Sequence, residues 1–553
     1  MQAVTTNKSI LQLLGVGVLL CASLFAVNAQ AAAPGITGTV GGSCAAGNVC
    51  FDLSAAAGFT SQPDGNVIYT WGYGCFSQPS GFLPSTIAPP ATGCPGMQLP
   101  GPTLIVNQGD VVTVTLHNNL PAAAGNTSIL FPGFAVSSSG GSAGVLTQEA
   151  ASGGTVVYTF TASTPGTHTY YSGTRGDLQI EMGLYGAIIV RPTLTNGLPA
   201  AYVQAPGTPA TCHVAPNLPS VPALDGTAHM DYRLAAAAYD NPAACYDREY
   251  LFQFSEMDPR IHRQAEEQAG LTCQPEAAAT GCMVVQTEPY VPAYFLINGR
   301  SMPDDMDPNY AMQYPHQPYN GNPHMHPGEL VLLRIIGNGR WQHPFHEHGN
   351  HVRVLARDGH LLLSPPVGNT PSTMLAGPLL FTTTTTPGMA LDGIFQWTGK
   401  GLNWDVYAHT SGFSAACTPD VNGYHTTGGG ASINDPNYYE WCLDHEKALE
   451  NRPASTQVGS GGPVTLPDPN ILALGPWYGG SPYLGPDATQ RSQGATPIPP
   501  SGTVANSPTD EAGFSFMWHS HNEREITTNN AFPGGMMMMM LVDPWVYNIK
   551  EQN

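Results

Sequence analysis

Positive charge is scarce in this chain. Its 553 residues hold 18 Lys plus Arg against 39 Asp plus Glu, a formal net charge of −21. Nucleic-acid binding needs clustered cations to neutralise phosphates, so nucleic acid is not expected as a partner. Charge of either sign is sparse at 10% of residues, too little to decorate long solvent-facing helices. After the first 31 residues no apolar run is long enough to cross a bilayer, so no transmembrane segment is expected in the mature chain. Cysteine is missing around the histidine-rich segments, which removes thiolate from the donors available there.

Glycine and proline are abundant, 63 and 51 residues. Together with 42% apolar residues they describe a folded, turn-rich chain of many short strands. At 553 residues it has room for two to four domains of ordinary size. Lys8 precedes an apolar run from Ile10 to Val27, and Ala29-Gln30-Ala31 follows. That order is the pattern of a signal peptide, with cleavage expected before Ala32 and export to a periplasmic, cell-surface or extracellular location. The ten cysteines beyond it fall into sequence-local pairs, 44/50, 75/94, 212/245, 273/282 and 417/442. In an oxidising compartment each pair is expected to staple one loop.

Strand patterns succeed one another from about residue 38 to 195, among them Val67–Trp71, Asp110–Leu116, Thr155–Phe160 and Ala187–Val190. These segments are β-branched and aromatic, with turn residues between them. A Pro/Ala-rich linker occupies about 196–245. A second series spans 246–545, with one helical patch at Arg260–Ala269 and a Gly-, Pro- and Asn-rich insertion at about 402–510. The expected fold is all-β: two antiparallel β-sandwiches, the second carrying the insertion.

Two segments carry metal chemistry. One reads His343-Pro-Phe-His346-Glu-His348-Gly-Asn-His351, the other His519-Ser-His521-Asn-Glu523-Arg-Glu525. On a strand, residues i and i+2 share a face. His346 with His348, and His519 with His521, are therefore same-side pairs, and two adjacent strands would gather four imidazoles. Four nitrogen donors suit copper above other ions. A single pair such as His324-Met325-His326 reads as an ordinary surface feature. The run Met536–Met540 reads as pliant packing in a buried last strand, with Met536 a candidate thioether ligand. Asn126-Thr127-Ser128 matches a glycosylation sequon.

His343-Pro-Phe-His346-Glu-His348-Gly resembles the copper-ligand motif of the multicopper oxidases, whose domains are cupredoxin-like Greek-key sandwiches. His519-Ser520-His521 stands where that family has His-Cys-His. Residues from Gly101-Pro102-Thr103 to Gly183-Leu184-Tyr185-Gly186 resemble its first domain. The resemblance implies copper, one or two ions, held by His346, His348, His519 and His521, with His343, His351, Glu523, Glu525 and Met536 as accessory candidates.

The departures from the family are as informative. Its His-Trp-His-Gly appears here as Leu130-Phe131-Pro132-Gly133, and its His-Ser-His as Tyr171-Ser172-Gly173. All four first-domain ligands are gone. The blue-copper thiolate is Ser520, and the later histidine of that site is Glu525. The expected protein is an exported, multicopper-oxidase-like copper binder with a reduced, histidine-only site and altered redox chemistry toward a small substrate. The alternative is a non-enzymatic envelope scaffold that has lost copper. A homo-oligomer would bring a partner's first domain to the site, and His168 would be the donor able to replace the missing ones.

Overall fold

The computed structural model describes residues 33–41, 44–84, 92–192, 233–235, 237–400, 418–432, 435, 438–443, 480–484, 512–543 and 549. The expected signal peptide, Cys212, Cys417, most of the linker and most of the insertion lie outside the described residues.

The chain is all-β, built as two cupredoxin-like sandwiches. In the first, one five-stranded sheet runs Gly166–Tyr171, Tyr185–Arg191, Leu104–Asn107, Gly35–Thr37, Gly81–Leu83. The facing sheet runs Val67–Cys75, Asn48–Ser61, Val111–Asn119, Thr155–Thr161, Ser137–Ser139. Alternation drives the layering: along Val111–Asn119, Val112, Val114 and Leu116 are buried while Val111, Thr113 and Thr115 are half-buried. The inward residues join Trp71, Tyr73, Tyr158 and Ile188 in one core.

The sheets are mixed rather than purely antiparallel. Asn48–Ser61 pairs parallel with Val111–Asn119, and Tyr185–Arg191 pairs parallel with Leu104–Asn107. Connections that cross between the two sheets bring strands of the same direction side by side, which a hairpin cannot do. The 14-residue strand Asn48–Ser61 has little local signal, because its centre is Ser54-Ala55-Ala56-Ala57-Gly58. Pairing on both edges, not propensity, makes it a strand.

The second sandwich repeats the plan. One sheet runs Tyr294–Ile297, Arg248–Met257, Leu330–Gly337, Ala390–Gln396, Val352–Arg357, His360–Leu361. The other runs His324–Met325, Met537–Val542, Ala512–Ser520, His343–Glu347, Thr382–Thr385. Phe254, Phe345, Phe395, Trp518, Met536, Met538 and Met540 fill the space between them. The even-numbered methionines thus line one face as packing residues. The helical patch is Pro259–Gln268, capped by the Asp258 carboxylate on the Arg260 N–H at 3.0 Å, with Ile261 and Ala265 packed on the first sandwich.

The sandwiches meet along a polar and an apolar seam. Thr167 Oγ1 donates to Asp392 Oδ1 at 2.6 Å, and Arg334 Nη1 donates to Thr167 Oγ1 at 3.1 Å. Ile105, Ile189, Leu251 and Ile336 pack beside them. Disulfides join Cys44–Cys50, Cys75–Cys94 and Cys273–Cys282, as sequence locality suggests. Cys245 and Cys442 are also disulfide-bonded.

Candidate metal centre

The strand His343–Glu347 lies antiparallel to Ala512–Ser520, with His346 directly opposite His519. Directly opposed residues put their side chains on the same face. This register brings the two same-side histidine pairs together. Ring centroids are 4.6 Å apart for His346 and His348, 4.6 Å for His346 and His521, and 5.8 Å for His346 and His519. His348 and His519 are 5.0 Å apart, and His519 and His521 are 5.2 Å apart. The Nε2 atoms of His348 and His519 stand 3.1 Å apart. That is the spacing of two donors sharing an ion at metal–nitrogen distances of roughly 2.0–2.1 Å.

Backbone carbonyls set two of the tautomers. His346 Nδ1 donates to the Phe381 carbonyl, with Thr382 Oγ1 3.2 Å away. His519 Nδ1 donates to the Ser520 carbonyl at 2.8 Å. Both rings therefore present Nε2 lone pairs to the cluster. Burial, reinforced by the neighbouring imidazole of His348, pulls the His346 pKa down to about 4. Burial and the nearby His521 also lower that of His519. Both are neutral at pH 7, the state in which imidazole binds a metal. Among the described residues no group of three or more His, Cys, Asp or Glu side chains is placed to hold a metal ion. The four rings are gathered, and holding an ion would require their side chains to rearrange. The donor set, four imidazoles of which two are held neutral, fits copper.

His343 and Glu525 do a different job. His343 is fully buried between two carboxylates, with Nε2 3.0 Å from Glu256 Oε2 and Nδ1 2.9 Å from Glu525 Oε2. Burial opposes its charge, but the two carboxylates win and raise its pKa to about 9. Ser520 Oγ donates to Glu525 Oε2, and Asn522 Nδ2 donates to Glu525 Oε1 at 2.8 Å. The backbone N–H groups of Arg340 and Trp341 hold Glu256 Oε1 at 2.7 and 2.8 Å. A hydrogen-bonded ion network occupies the place where the sequence resemblance puts a blue-copper ion. Met536 is buried in the core, its carbonyl accepting from the Ser520 N–H at 3.0 Å. His351 stacks edge-on against Phe381 at 5.7 Å rather than against the four rings, and Glu523 is exposed.

The first-domain positions are filled by packing. The Leu130 N–H donates to the Tyr171 carbonyl at 2.7 Å. A Cβ on Gly173 would lie 2.8 Å from Leu130 Cγ, so Leu130 occupies the space a side chain there would need. His168 is buried, with Nε2 bonded to the Thr164 carbonyl at 2.9 Å. His324 and His326 are buried rather than at the surface, hydrogen-bonded to Asp543 at 2.6 Å and Glu329 at 3.0 Å. Asn126 is buried too, its Nδ2 donating to Ser142 Oγ at 3.1 Å and Glu149 Oε2 at 3.2 Å.

Comparison with known proteins agrees with the fold. Residues 92–195 match the family described as multicopper oxidase. That segment of the chain is multicopper-oxidase-like. A stretch of 96 residues is 38% identical to laccase ustL of Ustilaginoidea virens, covering 17% of this chain and 14% of that one. A stretch of 110 residues is 39% identical to the multicopper oxidase MCE of Talaromyces pinophilus, covering 19% and 17%. The matched region thus spans under a fifth of these curated relatives. Among solved structures, the blue copper oxidase of Nitrosomonas europaea superposes with a TM-score of 0.41 at 15% identity, over 89% of this chain and 85% of that one, too loosely to carry any assignment. The multicopper oxidase match falls on the first sandwich, while the candidate centre lies in the second.

Sequence reasoning missed Glu256, Phe381 and Thr382. Glu256 lies 87 residues from His343, and no local motif ties the two. A buried glutamate in the apolar strand Arg248–Met257 was the available signal, since a carboxylate is seldom buried without a partner.

Proposed function

We propose that this is an exported, multicopper-oxidase-like protein that binds copper, one or two ions, through His346, His348, His519 and His521. The observation that carries the proposal is the register of His346 opposite His519, which gathers the four imidazoles. The oxidised cysteines support an extracytoplasmic location, where disulfides persist. The proposed organisation is a first domain at 38–195, a linker at 196–245 and a second domain at 246–545 with an insertion at about 402–510.

Copper held there would supply one-electron redox chemistry toward a small substrate at an ion with open positions. The chain's own contribution is donor preparation. The carbonyls of Phe381 and Ser520 fix the His346 and His519 tautomers, and burial keeps both rings unprotonated at neutral pH. Ser520 offers no thiolate, and His343 is committed to its carboxylates, so the chain forms no strongly covalent copper–thiolate centre. A homo-oligomer would set a partner's first domain over the exposed His521, but that domain would offer Leu130, Pro132, Tyr171 and Gly173 at the matching positions.

The test is metal content by elemental mass spectrometry of the chelator-washed protein, beside the His519→Ala/His521→Ala double variant. One or two coppers per chain, lost in the variant, is the expected result. Equal copper in both proteins refutes the assignment. No copper in either protein favours a scaffold, a reading supported by the way Leu130 has closed over Gly173.

A further inference from the structure

A cavity of about 230 Å³ opens beside the second sandwich, lined by Arg357, Gln342, Thr384, Thr386, Ile335 and Met389 among others. At about 30 Å³ per water it holds roughly seven waters, or an organic acid of similar heavy-atom count. Its chemistry is unusual for a chain of charge −21. From residue 359 to 391 there is no Asp, Glu, Lys or Arg, and Arg357 is the one charged residue among those lining the cavity.

No acid pairs with that guanidinium among the described residues. Asp358, the adjacent carboxylate, is engaged by the Ala390 N–H at 2.8 Å. The remaining polar groups are neutral: Gln342 Nε2 donates to Thr386 Oγ1 at 3.0 Å, and Thr384 is exposed. Thr382 and Thr384 lie opposite His346 and Pro344. Thr382 and Thr384 share a face of the sheet, so the hydroxyls run from the candidate metal centre toward the cavity. The separation is roughly 7 Å for two residues of strand.

We propose that this cavity binds a small carboxylate. The planar fork of a guanidinium matches a carboxylate with two parallel hydrogen bonds. The threonine hydroxyls and the Gln342 amide suit a hydroxyl on the same ligand. Ile335 and Met389 suit a short alkyl part. A phosphate dianion would meet a single cation inside a strongly acidic chain, so the charge balance favours a monoanion. None of the four imidazoles lines the cavity. The inference therefore stands apart from metal binding.

The experiment is calorimetric titration of the full-length, chelator-treated protein with sodium lactate, methyl lactate and inorganic phosphate. Expected are saturable one-to-one binding of lactate and at least tenfold weaker binding of the uncharged ester. Arg357→Gln should weaken lactate at least tenfold, and Thr384→Val several-fold. Both positions are exposed, and an unchanged thermal unfolding profile shows that the variants fold. The proposal is overturned if lactate does not saturate, if Arg357→Gln binds it unchanged, or if the ester or phosphate binds as tightly. Because the protein is metal-free, a negative result here leaves the copper assignment standing, and a failed copper test leaves this one standing.

Discussion

Replacing His343 by Gln should remove a pH-dependent part of the stability. The imidazolium is buried between Glu256 and Glu525 at 3.0 and 2.9 Å, and its pKa rises from 6.5 to about 9. A folded-state pKa raised this far corresponds to about 3 kcal/mol of pairing. The sign follows from which state binds the proton. The folded protein holds it more tightly, so the contribution is complete below about pH 6.5 and is lost as pH rises through about 9. Gln keeps a donor near one carboxylate but carries no charge. Glu347, fully desolvated and raised to about 8, also titrates in this window, lowering stability as pH rises. It does so in both proteins and cancels in their difference. Guanidinium unfolding of wild type and His343→Gln at pH 6.5 and 9.5 measures that difference. The advantage of wild type should shrink by about 3 kcal/mol between the two pH values. An advantage that changes by less than about 1 kcal/mol would refute the paired imidazolium.

Other outcomes follow from the same geometry. Ser520 Oγ, Glu525 Oε2 and His343 Nδ1 converge on one point, so Ser520→Cys with Glu525→His should give an intense visible copper–thiolate band that the copper-loaded wild type lacks. A colourless double variant that binds copper normally would refute convergence. Met538→Ala empties space in the core of the second sandwich and should cost about 2–5 kcal/mol by chemical denaturation. A loss under 1 kcal/mol would place Met538 outside that core. Asn126, buried with its amide already bonded, should be recovered unmodified by peptide mass mapping after expression in a glycosylating host, and an occupied site would contradict its packing.

Residue identity and strand period determined much of this protein from the sequence alone. Alternation of two explains why His346 pairs with His348 and His519 with His521, and turn-rich composition dictates an all-β chain. The missing donors at Leu130, Pro132, Tyr171 and Gly173, and the missing thiolate at Ser520, are likewise facts of composition at a position and need no fold to be read. What only the tertiary structure decided are the meetings between distant strands. The sequence allows His346 to stand opposite any residue of the last strands, and register places it opposite His519. Local pattern makes His343 a ligand candidate, whereas a glutamate 87 residues away turns it into a paired cation. Asn48–Ser61 becomes a strand because two neighbours hold both of its edges. In each case the deciding energy lies in hydrogen bonds and charge pairs across the sheets, and these depend on topology rather than on the residues next to them in the chain.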